Sequence, residues 1–167
     1  MIEFRQLNEA DAAAFWTLRL LALQSEPQAF RESAEEHRQK PVSFYEERLR
    51  SGGETSFLFG AFDGPELIGT AGLYRNKPRA GCVWGMFLDQ RYRGRGVGKQ
   101  LLQTLLRYAG TLPGLQEIHL TVAPSQQAAR EVYLRCGFHV IADGGASACG
   151  EHLEPGQELM VLALHQA

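Results

Sequence analysis

The N-terminal part of the chain passes from strand-like alternation to helical spacing. Ile2 and Phe4 alternate with polar residues, which predicts a first strand. From residue 9 to about residue 24 the apolar positions recur at helical spacing on two faces, so we expect a helix that is buried over much of its circumference. Pro27 ends this helix, and the polar stretch from 28 to 40 is ambiguous.

Two capping signatures predict where helices begin. Asn8, followed three residues later by Asp11, is typical of an N-cap with an acid that pairs back to it. Ser43 with Glu46 has the spacing of a capping box, and Gly52 predicts the end of the short helix that it would open.

Three apolar runs joined by short turns follow. They cover residues 56–62, 66–74 and 82–88, and Asp63-Gly64 is a turn signal between the first two. This spacing predicts an antiparallel meander. Gly85 inside the third run indicates a β-bulge or a close approach to a backbone or ligand.

Helices and strands alternate in the second half of the chain. The predicted elements are a helix from 97 that ends at Gly110, a strand at 118–122, a helix at 125–136, and strands at 138–142 and 158–164. Because a helix separates the third run from the strand at 118–122, this strand is expected to be parallel to it. A glycine-rich loop at 143–156 separates the last two strands.

Composition narrows the class of protein. The chain has 167 residues, 44% of them hydrophobic, which favours one domain over residues 1–167 with a full core. Seventeen basic and 19 acidic residues give a net charge of −2, which argues against a nucleic-acid binder. No apolar run approaches a membrane span, and the first residues lack a signal peptide's pattern. We therefore expect a cytoplasmic protein that binds neither nucleic acid nor membrane.

The cysteines predict neither a disulfide framework nor a metal site. Cys82, Cys136 and Cys149 are odd in number and show no C-x-x-C spacing, which favours a reducing compartment. Cys136 lies on the apolar face of the last predicted helix and is expected in the core. His119 and His152 have no metal-ligand partner at useful spacing, so they are interpreted as structural or exposed.

A glycine-rich turn between a strand and a helix suits a phosphate. Gly94, Gly96 and Gly98 let the backbone approach a ligand, and the first helical turn offers free N–H groups. Four cations accompany them, namely Arg91, Arg93, Arg95 and Lys99. The spacing fits neither a Walker A loop nor a Rossmann fingerprint.

The motif around these glycines resembles that of a known family. Residues 91–96, RYRGRG, match the R/Q-x-x-G-x-G/A signature of the GNAT (Gcn5-related N-acetyltransferase) superfamily. Residues 129–138, AREVYLRCGF, are similar to its A-x-x-L-Y-x-x-x-G-F element at the expected downstream distance. In element order the resemblance spans almost the whole chain.

The resemblance implies a fold, a co-substrate and a set of roles. The fold would be α/β, with a mixed, mostly antiparallel six- to seven-stranded sheet, helices on both faces and a splayed pair formed by its fourth and fifth strands. Acetyl-CoA would bind with its pantetheine arm in that gap, a strand N–H near Phe87 or Leu88 would hold the oxyanion, and Tyr133 would protonate the departing thiolate. The residues implied in acetyl-CoA binding are Met86, Phe87, Leu88, Arg93, Gly94, Arg95, Gly96, Val97, Gly98, Lys99 and Gln126. No metal is implied.

Two positions depart from the family's pattern. Gln126 stands where an Asn is frequent, and Thr121 stands where some members have a Glu that acts as base. The base therefore stays open: a water chain, an acid from the segment 26–36, or none if the amine binds neutral. Glu32, Glu35 and Glu36 are most simply interpreted as a solvated helix face that would favour a cationic amine if it bordered the acceptor pocket.

The sequence thus predicts transfer of an acetyl group from acetyl-CoA to a primary amine by direct attack in a ternary complex. The acceptor, a small molecule or a peptide or protein amine, stays unidentified, and a homodimer is left open. Two alternatives also stay open: a catalytically silent acyl-CoA-binding module, and an acyltransferase that uses a longer acyl-CoA.

Overall fold

The computed structural model describes residues 1–141, 147–150 and 153–164. Within them the chain forms strands β1 (Ile2–Gln6), β2 (Ser56–Asp63), β3 (Glu66–Tyr74), β4 (Ala80–Leu88), β5 (Glu117–Val122), β6 (His139–Ile141) and β7 (Glu158–Ala163). The α-helices are α1 (Ala12–Ser25), α2 (Ala34–Arg38), α3 (Val42–Ser51), α4 (Val97–Ala109) and α5 (Gln127–Arg135). Short 3₁₀ turns cover Glu9–Asp11, Pro27–Ala29 and Gln90–Tyr92.

The strands form one sheet in the order β1-β2-β3-β4-β5-β7-β6. Its neighbours are antiparallel except β4 and β5, which are parallel because α4 crosses between them. This confirms the predicted mixed, mostly antiparallel sheet. Part of the predicted loop at 143–156, including His152, lies outside the described residues.

The sheet opens between β4 and β5. The two strands pair only from Ala80 with Glu117 to Cys82 with His119, after which β5 pairs with β7 alone. Residues 83–88 of β4 thus face a gap, called here the β4–β5 opening. The splayed pair implied by the family resemblance is confirmed.

A β-bulge lies in the part of β4 that borders this opening. Thr70 of β3 pairs with Phe87 and Gly72 with Trp84, so one β3 residue faces two residues of β4. Gly85 takes a φ of +63° there, and the hydroxyl of Thr70 donates a hydrogen bond of 2.8 Å to its carbonyl. The predicted bulge is confirmed.

Helices bury both faces of the sheet. On one face α4 packs Leu101, Leu102 and Leu105 against the central strands, and α5 adds Tyr133. On the other face α1 and α3 pack around Phe15 and Tyr45, among others. No helix in the described part of the chain is long and apolar enough to cross a membrane.

One predicted helix start is wrong. The cap before α3 is Pro41 and makes no side-chain hydrogen bond, so the Ser43–Glu46 pair lies inside the helix. The Asn8–Asp11 capping box does form. The difference is that proline presets the extended backbone that a helix start needs, two residues before Ser43.

The expectation that the cysteines form no disulfide framework also missed a bond. Cys82 and Cys149 form a disulfide with a Cα–Cα distance of 5.2 Å, across 67 residues of sequence. His119 helps to bring them together, because its Nδ1 accepts a hydrogen bond of 3.0 Å from the backbone N–H of Ala148. Cys136 is free and packs against the core, as predicted.

Candidate active site

The glycine loop is open at the start of α4. Gly94 and Gly96 have φ of +79° and +78°, and a Cβ added to either one would meet nothing within 4 Å. Val97 begins the helix without a side-chain cap, so the N–H groups of the first turn are free for a ligand. Gly98, in that turn, lies against Met86 and Leu88 of β4. The structure therefore brings the loop and the edge of the β4–β5 opening together.

Two of the four cations predicted at this loop are engaged elsewhere. Arg91 donates hydrogen bonds to Asp89 and Glu66, at 2.9 and 2.6 Å. Arg93 donates to the Leu88 carbonyl at 3.0 Å and forms an ion pair with Glu26, the residue that follows α1. Arg95 and Lys99 make no ion pair with any residue that the structure describes, so a bound anion has these two side chains available.

Glu26 links three parts of the site. Its carboxylate lies 3.0 Å from Arg93 Nη1, which ties the end of α1 to the end of β4. Tyr133 of α5 is close enough that the Glu26 charge acts on its hydroxyl: burial, with smaller contributions from Glu26 and Cys136, raises the pKa of Tyr133 well above its usual value. Tyr133 is thus buried against the core and keeps its proton at neutral pH.

The backbone of Leu88 faces the opening. The N–H of Asp89 donates to Ile68 of β3 at 2.8 Å. Since successive residues of a strand present their backbone groups to opposite sides, the Leu88 N–H and carbonyl point away from β3. The bond from Arg93 to the Leu88 carbonyl agrees with this direction. The side chain of Phe87 is buried in the core beneath α1 and α3, and by the same alternation its backbone groups face β3, where Phe87 pairs with Thr70. Of the two, Leu88 is therefore the residue whose backbone faces the opening.

A cleft of about 760 Å³ lies at the β5 end of the opening. It lies between the segment after α1, the end of β5 and residues 154–157. Its lining is Gln28, Ala29, Phe30, Arg31, Thr121, Ala123, Pro124, Ser125, Glu154, Pro155 and Gln157. Thr121 therefore lines this cleft, while Gln126 accepts a bond from the Ala123 N–H at 3.1 Å and holds the turn into α5.

Sequence reasoning missed a buried ion cluster beside this cleft. Glu32 is only 13% exposed; it accepts hydrogen bonds from Lys40 and, at 3.3 Å, from Arg19 Nε. Burial alone would raise the pKa of Glu32, but the bonds and charges of Lys40 and Arg19 lower it overall. The interpretation of Glu32 as part of a solvated helix face is wrong. No local signal marks it, because Glu32 lies in the connection before α2 and Arg19 is 13 residues away on α1.

Comparison with known proteins agrees with this architecture. The model of the acetyltransferase (GNAT) family matches residues 18–138, which is more than half of the chain. The chain belongs to the GNAT family. The match includes both the RYRGRG motif and the Tyr133 element, so the resemblance inferred from them is confirmed.

Curated GNAT relatives come from Bacillus subtilis. A spermine/spermidine N(1)-acetyltransferase is 32% identical over 105 residues, which are 61% of this chain and 60% of that protein. A probable N-acetyltransferase, YjcK, is 31% identical over 108 residues, 62% of this chain and 59% of its own. The match thus spans about three fifths of the length of these relatives.

Solved GNAT structures share the fold over almost the entire chain. A Staphylococcus aureus acetyltransferase superposes with a TM-score of 0.77 at 19% identity, covering 99% of this chain and 100% of its own. The PaiA N-acetyltransferase of Thermoplasma acidophilum, solved with coenzyme A, gives 0.76 at 19% identity, covering 98% and 99%.

Proposed function

We propose that this protein transfers the acetyl group of acetyl-CoA to a primary amine by direct attack in a ternary complex. The observation that carries the proposal is the β4–β5 opening, which adjoins the open glycine loop at the start of α4. An extended donor with a pyrophosphate at one end and a thioester at the other fits this arrangement. Family membership and the names of the curated relatives support the same reaction.

The loop is suited to the pyrophosphate. The N–H groups at the start of α4 and its dipole favour an anion, and Arg95 and Lys99 add charge without an ion pair to any carboxylate of the described residues. The pantetheine arm would add to the exposed edge of β4 as a further strand does. Met86 and Leu88 would lie beside it, because their side chains reach Gly98 on the same face.

The chemistry follows from the groups around the opening. The amine lone pair attacks the thioester carbon, and the carbonyl electrons move to oxygen, where the Leu88 N–H stabilises the oxyanion. When the C–S bond breaks, the electron pair leaves with sulfur, and the Tyr133 hydroxyl donates its proton to it. The nitrogen gives up one proton to solvent water, and the tyrosine is reprotonated from solvent.

Neither of the two carboxylates of the segment 26–36 that border the site is a free base. Glu26 is held by Arg93 and Glu32 by Lys40 and Arg19. Thr121 cannot take the ammonium proton by itself. The proposal therefore uses water as the proton acceptor, or an amine that binds in its neutral form.

An acetylation screen tests this function. The protein is incubated with acetyl-CoA and a panel of polyamines, aminoglycosides, amino acids and peptides, and both the acetylated product and free CoA are measured by mass spectrometry. We expect stoichiometric release of CoA with at least one amine. Binding of acetyl-CoA without any transfer would instead support the silent binding module, and faster transfer from propionyl- or longer acyl-CoA would support the alternative donor.

A further inference from the structure

On the side of the β4 bulge that faces α1, two buried hydrogen-bond donors have no acceptor among the described residues. Among the described residues, two buried side-chain polar atoms have no hydrogen-bond partner, Arg19 Nη1 and Trp84 Nε1, and both are donors. Unpartnered buried polar groups are rare in folded proteins because each costs desolvation energy. A ligand that brings acceptor atoms would remove that cost.

The two donors belong to one cluster beneath α1 and α3. Arg19 Nη1 lies 3.8 Å from where a Cβ on Gly85 would be, directly above the bulge. Its guanidinium lies 5.9 Å from the Trp84 ring, and the guanidinium of Arg48 lies 4.3 Å from the same ring. Leu58 Cδ2 lies 3.9 Å from the same Cβ position on Gly85, and both it and Trp84 Nε1 lie close to where a Cβ on Gly72 would be, at 2.8 and 2.7 Å.

The charges of this cluster do not cancel. Arg48 bonds to Ser56 at 3.4 Å and has no carboxylate partner in the described part of the chain. The carboxylate of the cluster, Glu32, already serves both Arg19 and Lys40. One negative charge therefore faces three positive ones.

Phe30 connects the cluster with the cleft. Its ring stacks on the Arg19 guanidinium at 4.7 Å and also lines the cleft on the acceptor side. The Arg19 side chain is 11% exposed, so a ligand reaches its free nitrogen only when Phe30 moves aside. Phe30 follows a 3₁₀ turn in the connection from α1 to α2 and packs, half-buried, against the core beneath α1, so this movement would separate its ring from that core.

We infer that the acceptor amine carries a carboxylate, which Arg19 binds together with the neighbouring donors of Arg48 and Trp84. This inference rests on the proposed function, because the proposed reaction requires the acceptor amine to bind next to the thioester. A planar carboxylate suits a guanidinium fork, and a buried charge-assisted pair is stronger than a neutral one. The same charges disfavour a polycation, although a curated relative is named for spermine and spermidine.

Matched acceptors test the inference. We would measure kcat/KM for several α- and ω-amino acids, each beside its carboxamide, with taurine as the sulfonate analogue and spermidine as the polycation. We expect each accepted amino acid to exceed its carboxamide by about tenfold or more. If taurine equals the carboxylates, the site recognises any anion and the planar-carboxylate assignment is overturned.

Variants decide whether Arg19 is responsible for the preference for a carboxylate over a carboxamide. In Arg19→Gln the acid-to-carboxamide ratio should fall by about tenfold or more, and Arg19→Lys should retain part of it. The matched control is Arg38→Gln, an exposed arginine of α2 that pairs with Glu35, which should leave the ratio unchanged. Circular dichroism and the KM for acetyl-CoA establish that each variant is folded. An unchanged ratio in folded Arg19→Gln, or spermidine as the preferred acceptor, would refute the inference.

The inference and the proposed function fail in different ways. Acetyl transfer to amines with no carboxylate preference removes the inference and leaves the function. If no amine is acetylated, the function fails, and calorimetric titration of the amino acids into wild type and Arg19→Gln, in the presence of CoA, still decides whether the cluster binds a carboxylate.

Discussion

At the scale of single residues, the site depends on groups whose burial controls their proton. Tyr133 is 5% exposed, and burial together with the nearby charge of Glu26 raises the pKa of its hydroxyl. A high pKa keeps the proton on oxygen at neutral pH, so that it would be available to the thiolate that leaves in the proposed reaction. This is the property that a general acid needs at neutral pH.

Removing this hydroxyl should slow chemistry without weakening donor binding. We expect Tyr133→Phe to lower kcat by about a hundredfold, because the thiolate would leave unprotonated. The Kd of acetyl-CoA, measured by calorimetry, should stay within about twofold. Tyr108→Phe on α4 is the control, since Tyr108 packs against Phe57 and Phe59 away from the opening. Equal kcat in Tyr133→Phe and wild type would remove the general-acid role.

His37 shows a second consequence of burial. The ring is fully buried, with Nε2 2.9 Å from the Trp16 carbonyl and Nδ1 3.2 Å from the Tyr45 hydroxyl. The carbonyl can only accept, so Nε2 carries the proton and Nδ1 accepts from Tyr45. Burial lowers the pKa of His37 below its ordinary 6.5, although the hydrogen bond to the Trp16 carbonyl and the charge of Glu32 oppose this in part.

The stability of the protein should therefore fall in mild acid. In the unfolded chain His37 takes up a proton near pH 6.5, while in the folded protein it does so only at lower pH. The unfolded state then binds more protons, so the free energy of unfolding decreases as the pH falls below about 6.5. Denaturant titrations at several pH values measure this slope. His37→Gln should flatten it, and His139→Gln, at an exposed position, should not.

The sequence was enough to propose a chemical role for single residues, but it did not predict which residues they would pair with. The roles proposed for Tyr133 and the glycines come from a local motif. By contrast, Arg93 meets Glu26, and Arg91 meets Glu66, across long stretches of chain. A count of local charges therefore overestimates the positive charge that remains for a ligand at the loop.

At the scale of elements, the loop before α4 is shaped by two left-handed glycines. Gly96, at φ +78°, directs the chain into the helix while its surroundings stay open. Other residues rarely adopt this conformation, and a side chain would project into the space where a pyrophosphate approaches the N–H groups. The element thus combines a backbone requirement with a ligand requirement.

A matched pair of glycine variants separates these two requirements. Gly64, in the β2–β3 turn, also has a positive φ of +57° and open space around an added Cβ. Gly96→Val and Gly64→Val should both lose about 1–2 kcal/mol of stability. Gly96→Val alone should lose affinity for CoA, by about a hundredfold or more, in calorimetric titration. Equal CoA affinity in the two variants would contradict the pyrophosphate assignment.

Most elements could be predicted because their patterns are local. The bounds of β3 follow directly from its apolar run, since the strand is buried on both faces. The region from 28 to 40 could not be assigned, because α2 has five residues and is held by Ser33 capping and by the packing of His37 beneath α1. Short helices of this kind depend on tertiary contacts more than on propensity.

At the scale of the whole molecule, the β4–β5 opening begins where two long-range links meet. Cys82 is the last residue of β4 that pairs with β5, and its disulfide to Cys149 closes over that point. His119, its partner on β5, holds the neighbouring Ala148. The fold brings these groups together from distant parts of the sequence, which is why cysteine spacing alone predicted no pair.

The disulfide should stabilise the molecule by restricting its unfolded chain. Closing a loop of 67 residues is expected to contribute about 2–4 kcal/mol. Cys149→Ala, and wild type after reduction, should lose this amount in denaturant titrations, while Cys136→Ala should lose less because Cys136 is free and only partly buried. Thiol titration of unfolded, unreduced protein should find one thiol, since Cys136 is the unpaired one of three cysteines. Three reactive thiols, together with equal midpoints for wild type and Cys149→Ala, would show that the link does not form in solution.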